Sequence, residues 1–321
     1  MSYFLRRLLF MVPLILVIVT LAFFLVRVAP GGPFDKERKP ASPAVERALA
    51  EKYHLNESLF SQYLRFLGLK WEEGANGSWQ RAPGGLIAGD LGLSLKYRNH
   101  TVSDIILQGL PVSLTLGFLA FGFAMGFGIP IGFYTAVRRG EWADWAGSLF
   151  ALVVICVPGF VIGPLLILGF ALKAGWFPVG LWGAPVQAVL PMVALGLYFG
   201  GRVARLTREG MTQALQSEYI RTARAKGASE LRVLLKHALP TAVMPVVSYS
   251  GPMLADLLTG SFVVENIFQI PGIGVFMVNS SLSRDYTMVV GLVLLYAILL
   301  LVLNLLVDLA YSFLDPRVRY E

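Results

Sequence analysis

Tyr219-Ile-Arg-Thr-Ala-Arg-Ala-Lys-Gly-Ala-Ser-Glu-Leu-Arg-Val-Leu-Leu-Lys-His-Ala-Leu-Pro240 is a basic segment set between long apolar runs. From Arg205 to His237 the chain carries seven basic residues (Arg205, Arg208, Arg221, Arg224, Lys226, Arg232, Lys236) against three acids (Glu209, Glu218, Glu230). The pattern predicts two short helices with a break between them. Tyr219, Ala223 and Lys226 fall on one helical stripe. Gly227 suits the left-handed conformation that ends a helix. Ser229 is placed to cap a second helix, with Glu230 near its positive end. Pro240 forces a new start. Connectors between apolar spans are usually short, so a polar segment this long points to a docking surface. A basic loop facing lipid headgroups has the same composition, and the residues alone leave both readings open.

Working outward, the flanking runs set the fold class. The chain has 321 residues, 56% of them hydrophobic and 15% charged, with a mean hydropathy of +0.65. A typical soluble domain is about 25% charged, and a soluble fold cannot hide this much apolar surface. Six runs are long enough to cross about 30 Å of hydrocarbon as helices: Leu8–Val26, Pro111–Val137, Ala146–Leu172, Val186–Leu206, Ala242–Val264 and Tyr286–Phe313. The first has 19 residues, longer than the core of a cleaved signal peptide. The expected fold is an all-α membrane protein, a polytopic bundle of six transmembrane helices.

The net charge of +7 is not a nucleic-acid signal, because the charges sit between the apolar runs. An even number of spans places both termini on one side. Arg6, Arg7, Arg138, Arg139, the central loop, Arg317 and Arg319 fall on that side, and the short opposite loops hold only Lys173 and Arg284. The positive-inside rule puts both termini in the cytoplasm. An extracytoplasmic insert, residues 29–110, then follows the first helix (residues 1–28) and precedes a five-helix core (111–321) containing the central loop 207–240. Within the insert, Ser42-Pro43 should start a helix over Ala44–Tyr53, a second helix is expected over Ser58–Phe66, and glycine-rich Trp71–Gly89 reads as loop. The insert is too small for a rich core and must rest on the helices or on a partner.

The chemistry is that of a passage rather than a catalyst. No Gly-x-x-x-x-Gly-Lys-Ser/Thr segment is present to cradle nucleotide phosphates. His54, His100 and His237 are scattered and make no metal-ligand set. Cys156, the single cysteine, has no disulfide partner and reads as a small buried hydrophobe. Four small-x-x-x-small pairs (Gly122/Gly126, Gly128/Gly132, Gly159/Gly163, Gly196/Gly200) suit close helix packing. The absence of an internal repeat disfavours repeat-built secondary transporters. Asp256 lies midway in the fifth run, where an ionisable group either lines a path or bonds a neighbouring helix. Asn304 and Asp308 share a face of the sixth run and are expected to brace it, against Arg202 or Arg205. Glu265-Asn266-Ile267-Phe268 and Pro271-Gly272-Ile273-Gly274 close the fifth run on the outer side, as a gate element or as a seal for the bundle.

The spacing Ala223, Gly227, Leu239-Pro240 resembles the cytoplasmic "EAA" signature of bacterial ABC-importer permeases, with Arg221-Thr222-Ala223 in place of Glu-Ala-Ala. That departure is similar to the peptide branch. The resemblance extends to Gly89-Asp90-Leu91-Gly92-Leu93-Ser94, Pro271-Gly272-Ile273-Gly274 and Asp315-Pro316-Arg317-Val318-Arg319-Tyr320. It implies the type I importer permease fold and the B-type first permease subunit of the oligopeptide/dipeptide (peptide/nickel) family. It also implies that Tyr219, Arg221, Thr222, Ala223, Arg224, Ala225, Lys226 and Gly227 form the coupling helix seated in an ATPase subunit. Arg221 and Arg224 would meet acids of that partner. Gly89, Asp90, Glu265, Pro271, Gly272 and Gly274 would lie at the outer gate, and Asp256 is the pathway candidate. The implied partners are a homologous second permease, two ABC ATPases, an extracytoplasmic substrate-binding protein and membrane lipid, with no nucleic acid. The chain needs no cofactor, since ATP and magnesium would bind the ATPases. A nickel or oligosaccharide permease of the same family remains an alternative. An ion-coupled secondary transporter is another, although a self-contained carrier does not need the long basic loop.

Overall fold

The computed structural model describes residues 3–28, 43–73, 78–97, 99–259 and 261–314. They fall into two compact units, Met1–Pro111 with Gly272–Ile298, and Val112–Pro271 with Leu299–Glu321.

The first unit opens with α1 (Tyr3–Val28), apolar along its length between Arg6, Arg7 and Arg27. Two short helices follow, α2 (Pro43–Lys52) and α3 (Leu59–Leu67). Ser58 caps α3 by accepting from the Ser61 N–H (3.3 Å), and Gly68 ends it with φ 77°. Ser42, the expected cap of α2, lies outside the described residues. The stretch expected as loop contains a small antiparallel hairpin, β1 (Trp71–Glu73) with β2 (Trp79–Arg81), pairing Trp71 with Arg81. The tryptophans suit it, because aromatic residues favour paired strands. The unit also holds the start of α4 (Val102–Val137), all of α13 (Ile273–Ser283) and the start of α14 (Tyr286–Leu314). One apolar cluster joins Val19 and Phe23 of α1 to Val290 and Leu294 of α14, with Tyr63, Phe66, Leu86 and Leu91 of the insert packed on them. A second joins Val102, Ile105 and Ile106 to Ile273, Met288 and Leu292.

The second unit contains the remainder of α4, then α5 (Trp142–Cys156) and α6 (Gly159–Leu166), which continues as a π-helical stretch Ile167–Lys173. Next come α7 (Pro185–Leu215), α8 (Glu218–Ala225), α9 (Glu230–Arg232), a π-helical stretch Val233–Ala238, α10 (Leu239–Ala242), α11 (Met244–Thr259) and α12 (Phe262–Ile267). Its core gathers Leu116, Ala120 and Ala124 of α4 with Leu190, Phe199 and Val203 of α7, Met253 and Leu257 of α11, and Phe268. Two of the glycine pairs make the α4–α7 crossing. A Cβ on Gly128 would lie 2.6 Å from the Gly200 carbonyl, one on Gly196 would lie 2.7 Å from the Ala120 carbonyl, and one on Gly132 would overlap the Ala204 carbonyl. Gly122, Gly126 and Gly159 instead face open space.

Among the described residues, four helices are long and apolar enough to cross a membrane: Arg6–Val28, Val102–Val137, Pro185–Leu215 and Tyr286–Leu306. The run expected as the third span is broken, with Trp142–Cys156 and Gly159–Lys173 meeting at 105°; counted as one bent span, the pair makes five. The break has a local cause. Val157, just before Pro158, is extended (φ −81°, ψ 121°), as the ring of a following proline demands. The expected fifth span is divided between α11, 16 residues long, and α12. Cys156, expected as a buried hydrophobe, is exposed beside the Pro158 break.

Candidate functional site

The central loop is built on an apolar base. Helix α7 runs on to Leu215, and Ser217 turns the chain with extended backbone (φ −77°, ψ 154°) into α8. Ile220 of α8 is fully buried, among Ala136, Met211, Ala214, Val233, Ala238 and Ala242. The wide π turn at Val233–Ala238 brings both of its ends into this cluster. A Cβ on Gly210 would overlap the backbone of Ala242, so α7 and α10 meet main chain to main chain.

The opposite face of the loop is exposed. Tyr219, Arg221, Thr222, Arg224, Ala225, Lys226 and Gly227 lie on it. Ala223, which the resemblance places in the coupling helix, is half-buried and packs against the Ile220 cluster. Gly227 has φ +79° with nothing near the position of a Cβ, so backbone conformation, not crowding, requires glycine there. Its N–H donates to the Arg224 carbonyl (2.9 Å) and that of Ala228 to the Ala223 carbonyl (3.2 Å), closing α8. Ser229 has N-cap backbone geometry but no side-chain capping bond.

The two arginines expected to meet a partner's acids are engaged within the loop. Arg221 donates to Glu218 (2.8 Å). Arg224 straddles the turn to Glu230 with two bonds of 3.2 and 2.6 Å. The hydrogen bond to Glu230 raises the Arg224 pKa above its ordinary value, and the same bond lowers that of Glu230. These pairs are exposed, so they set the shape of the turn more than its stability. The result is a convex, aromatic and cationic knob on a dry base.

Asp256 is exposed on α11 while its neighbours Ala255 and Leu257 are buried. The cation that acts on it is Arg202 of α7. Arg202 also donates to the Tyr249 hydroxyl (3.3 Å) and lies 4.7 Å from the centre of the Tyr198 ring. Arg205, one of the two arginines considered for a brace from Asn304 and Asp308, pairs with Glu209 at 3.0 Å. Sequence reasoning missed the Arg202–Tyr249 contact, although both residues fall inside apolar runs. It also missed a forked ion pair in which Arg208 donates to Asp144 at 2.6 and 2.9 Å and fastens α7 to α5.

The residues assigned to the outer side have different surroundings. Glu265 is fully buried in α12 and accepts from Ser261 Oγ at 2.5 Å. The chain then reverses at Gln269, whose φ is 52°, before Pro271. In the first unit, Gly272 is extended (φ −94°, ψ 178°) and caps α13, with Gly274 buried in its first turn. Gly272 thus supplies close approach rather than a left-handed turn: a Cβ on Gly109 would lie 3.1 Å from its carbonyl carbon. Gly89 has φ +74° in open space, and Asp90 accepts from the Gly92 N–H (2.8 Å).

The organiser of that insert is Asp285, which carried no signal beyond its place just before an apolar run. It is fully buried and accepts from Ser94 Oγ (2.5 Å), the Lys96 N–H (3.2 Å), Thr287 Oγ1 (2.9 Å) and the Met288 N–H (3.1 Å). It caps α14 and ties the Gly89–Ser94 segment to it. The Asp315–Tyr320 segment lies outside the described residues.

Comparison with known proteins identifies the family. Residues 128–320 match the family described as "Binding-protein-dependent transport system inner membrane component". The chain is 38% identical to the oligopeptide transport system permease protein OppB of Haemophilus influenzae over all of both chains, and 39% identical to that of Salmonella typhimurium over the same coverage. It is 39% identical to the dipeptide transport system permease protein DppB of Bacillus subtilis, covering 99% of this chain and 97% of that one. Among solved structures, a chain of the MetNI methionine ABC transporter in an inward-facing conformation shares the fold, with a TM-score of 0.56 at 19% identity over 66% of this chain and 96% of its own. The protein is a transport subunit and not an enzyme: it belongs to the family of binding-protein-dependent transport system inner membrane components, the ABC-importer permeases.

Proposed function

We propose that this permease forms half of a membrane pathway for oligopeptides or dipeptides. The relatives named for those cargoes match it end to end. A homologous second permease supplies the other half, a binding protein delivers cargo from outside, and two ATPase subunits act from the cytoplasm. The observation that carries the coupling role is the exposed α8 knob seated on the Ile220 cluster. Tyr219, Arg221, Thr222, Arg224, Ala225, Lys226 and the Gly227 turn present themselves to a groove, and Ala223 holds the helix to its base. A force on α8 reaches α7 and α10 through packed side chains, which deform little. Asp256 faces the path. Gly89, Asp90, Glu265, Pro271, Gly272 and Gly274 belong to the outer side.

The same reading places six spans in the inner membrane, with the third bent and the fifth divided. Both termini and the 207–240 loop lie in the cytoplasm, and residues 29–110 lie outside. The test is transport of labelled peptide into vesicles holding the two permeases and the ATPases, driven by ATP and the binding protein. Peptide uptake coupled to hydrolysis is expected; uptake of nickel or an oligosaccharide, but not peptide, would move the cargo assignment. A cysteine replacing His100 should react with an impermeant thiol reagent in intact cells, and one replacing Lys226 only after permeabilisation. The reverse pattern would overturn the orientation.

A further inference from the structure

The Pro158 break opens a cavity of about 400 Å³ in the second unit. It is lined by Cys156, Pro158 and Phe160 at the break, Tyr198 on α7, and Val263 and Val264 on α12. Its walls are otherwise apolar, and Tyr198 is the polar side chain among them. The face of that ring carries the Arg202 guanidinium, and Arg202 in turn holds Tyr249 and feels Asp256. Four polar groups thus gather next to a cavity in the middle of apolar helices. Arg202 and Asp256 are both exposed in this chain. Charges at such depth do not face lipid; they face a protein interior or a water-filled path. Broken helices in transport proteins are tolerated where they line such a path.

We propose that this cavity and its Tyr198–Arg202–Tyr249–Asp256 rim form a cargo station within the permease, specific for the charged ends of short peptides. The inference rests on the peptide-pathway reading above and names the groups that would act there. Arg202 offers fixed donors to a terminal carboxylate. Asp256 offers an acceptor to a terminal ammonium. Tyr198 and Tyr249 hold the guanidinium in place, so its orientation is set before cargo arrives. The apolar wall at the break accepts side chains of varied shape without demanding one, as a carrier of many sequences requires. Arg202 and Asp256 attract each other when the station is empty, and a zwitterionic cargo replaces that attraction with one contact to each. An uncharged solute has no such compensation.

The test uses the full complex of both permeases, the ATPases and the binding protein in vesicles. A photoreactive benzoylphenylalanine replaces Tyr198, and light is applied during turnover with a labelled tripeptide. A peptide adduct at position 198, absent when the same group replaces Leu152, is expected. Arg202→Gln should lower the transport rate at least about tenfold, the size expected for loss of a charged hydrogen bond. Arg202→Lys should recover part of it. ATPase co-purification and peptide affinity of the binding protein should be unchanged in both. A change in preference between free and amidated peptides, taken as a ratio to wild type, cancels the binding protein's own preference. Arg202→Gln should narrow that ratio, and Asp256→Asn should do the same for free against acetylated amino ends. If wild-type vesicles import no peptide, the cargo reading fails. If they import peptide, but the adduct forms only with the second permease or not at all, and the ratios do not move, the station is wrong and the cluster is structural.

Discussion

The α8–α10 knob and the Asp285 hub both hold a polar segment onto apolar helices, and they do it by opposite means. The knob stands on side chains without polar atoms, with Ile220 at the centre and its ion pairs left outside in water. The Gly89–Ser94 segment is held by a buried carboxylate that accepts from hydroxyls and backbone N–H groups on two parts of the chain. An apolar base is non-directional and close-packed, so it moves as a block when pushed. A hub of hydrogen bonds is directional, so it fixes one geometry and releases it all at once. The first suits a part that transmits a stroke; the second suits a part that must present a fixed face.

That contrast can be broken from its largest effect downward. Ile220→Ala should cost about 3 kcal/mol through lost burial and a cavity, read as a fall in the thermal midpoint of the purified permease and loss of ATPase co-purification. Unchanged assembly would show that the base is not what holds the knob. Asp285→Ala strands the Ser94 hydroxyl and two N–H groups and should cost about 2 kcal/mol, read as faster proteolysis within residues 43–97 with ATPase binding intact. Equal loss at both sites would mean that the two regions do not differ in kind. Gly227→Val leaves room for the side chain but forces it into left-handed backbone, at about 1 to 2 kcal/mol. It should uncouple hydrolysis from transport while the protein still inserts and expresses.

The smaller tests concern charge. Burial alone would push the Glu57 carboxyl up, but hydrogen bonds from Lys70, Arg65 and Ser61 outweigh it and hold the group at about 2. A carboxyl depressed in the folded protein contributes stability above its ordinary value, here 4.5, and loses it as pH falls from there toward 2. Protection of the insert from an acid-active protease should therefore weaken between pH 4.5 and the folded value, and Glu57→Gln should remove that part of the pH dependence. Glu230→Gln should change stability by less than about 1 kcal/mol, an effect that salt erases. Its trace should be a looser turn at Gly227, seen as faster amide exchange there.

The elements that depend on run length were plain in the sequence. Uninterrupted apolar stretches marked α1, α4, α7 and α14, and Gly227 marked the turn by its backbone freedom. What was missed depended on which side chains meet. The stripe Tyr219–Ala223–Lys226 was drawn without weighing Ile220, whose apolar side chain decides which face of α8 turns inward and takes Ala223 with it. The pairs Arg221–Glu218 and Arg224–Glu230 went unread because the composition of an exposed loop does not say which of its charges meet; both arginines remain on the outer face. Asp285 and Ser94 are 191 positions apart, a separation that no local pattern reports. Pro158 was a visible breaker inside an apolar run, and the run's overall length masked it.

The bend at Pro158 has a consequence for how the protein is made. Each arm, Trp142–Cys156 and Gly159–Lys173, is about 22 Å long as a helix, short of the roughly 30 Å a membrane requires. Pro158 sets the bend locally, so a nascent chain leaving the translocon carries it before any later helix exists. The kinked shape leaves main-chain groups at the break that hydrocarbon cannot satisfy, and α7, made later, is the helix that packs against both arms. Biogenesis would then have two stages for this segment, bending first and burial afterwards. A ribosome-bound chain stopped before Pro185 should already carry the bend and should stay beside the translocon rather than enter lipid.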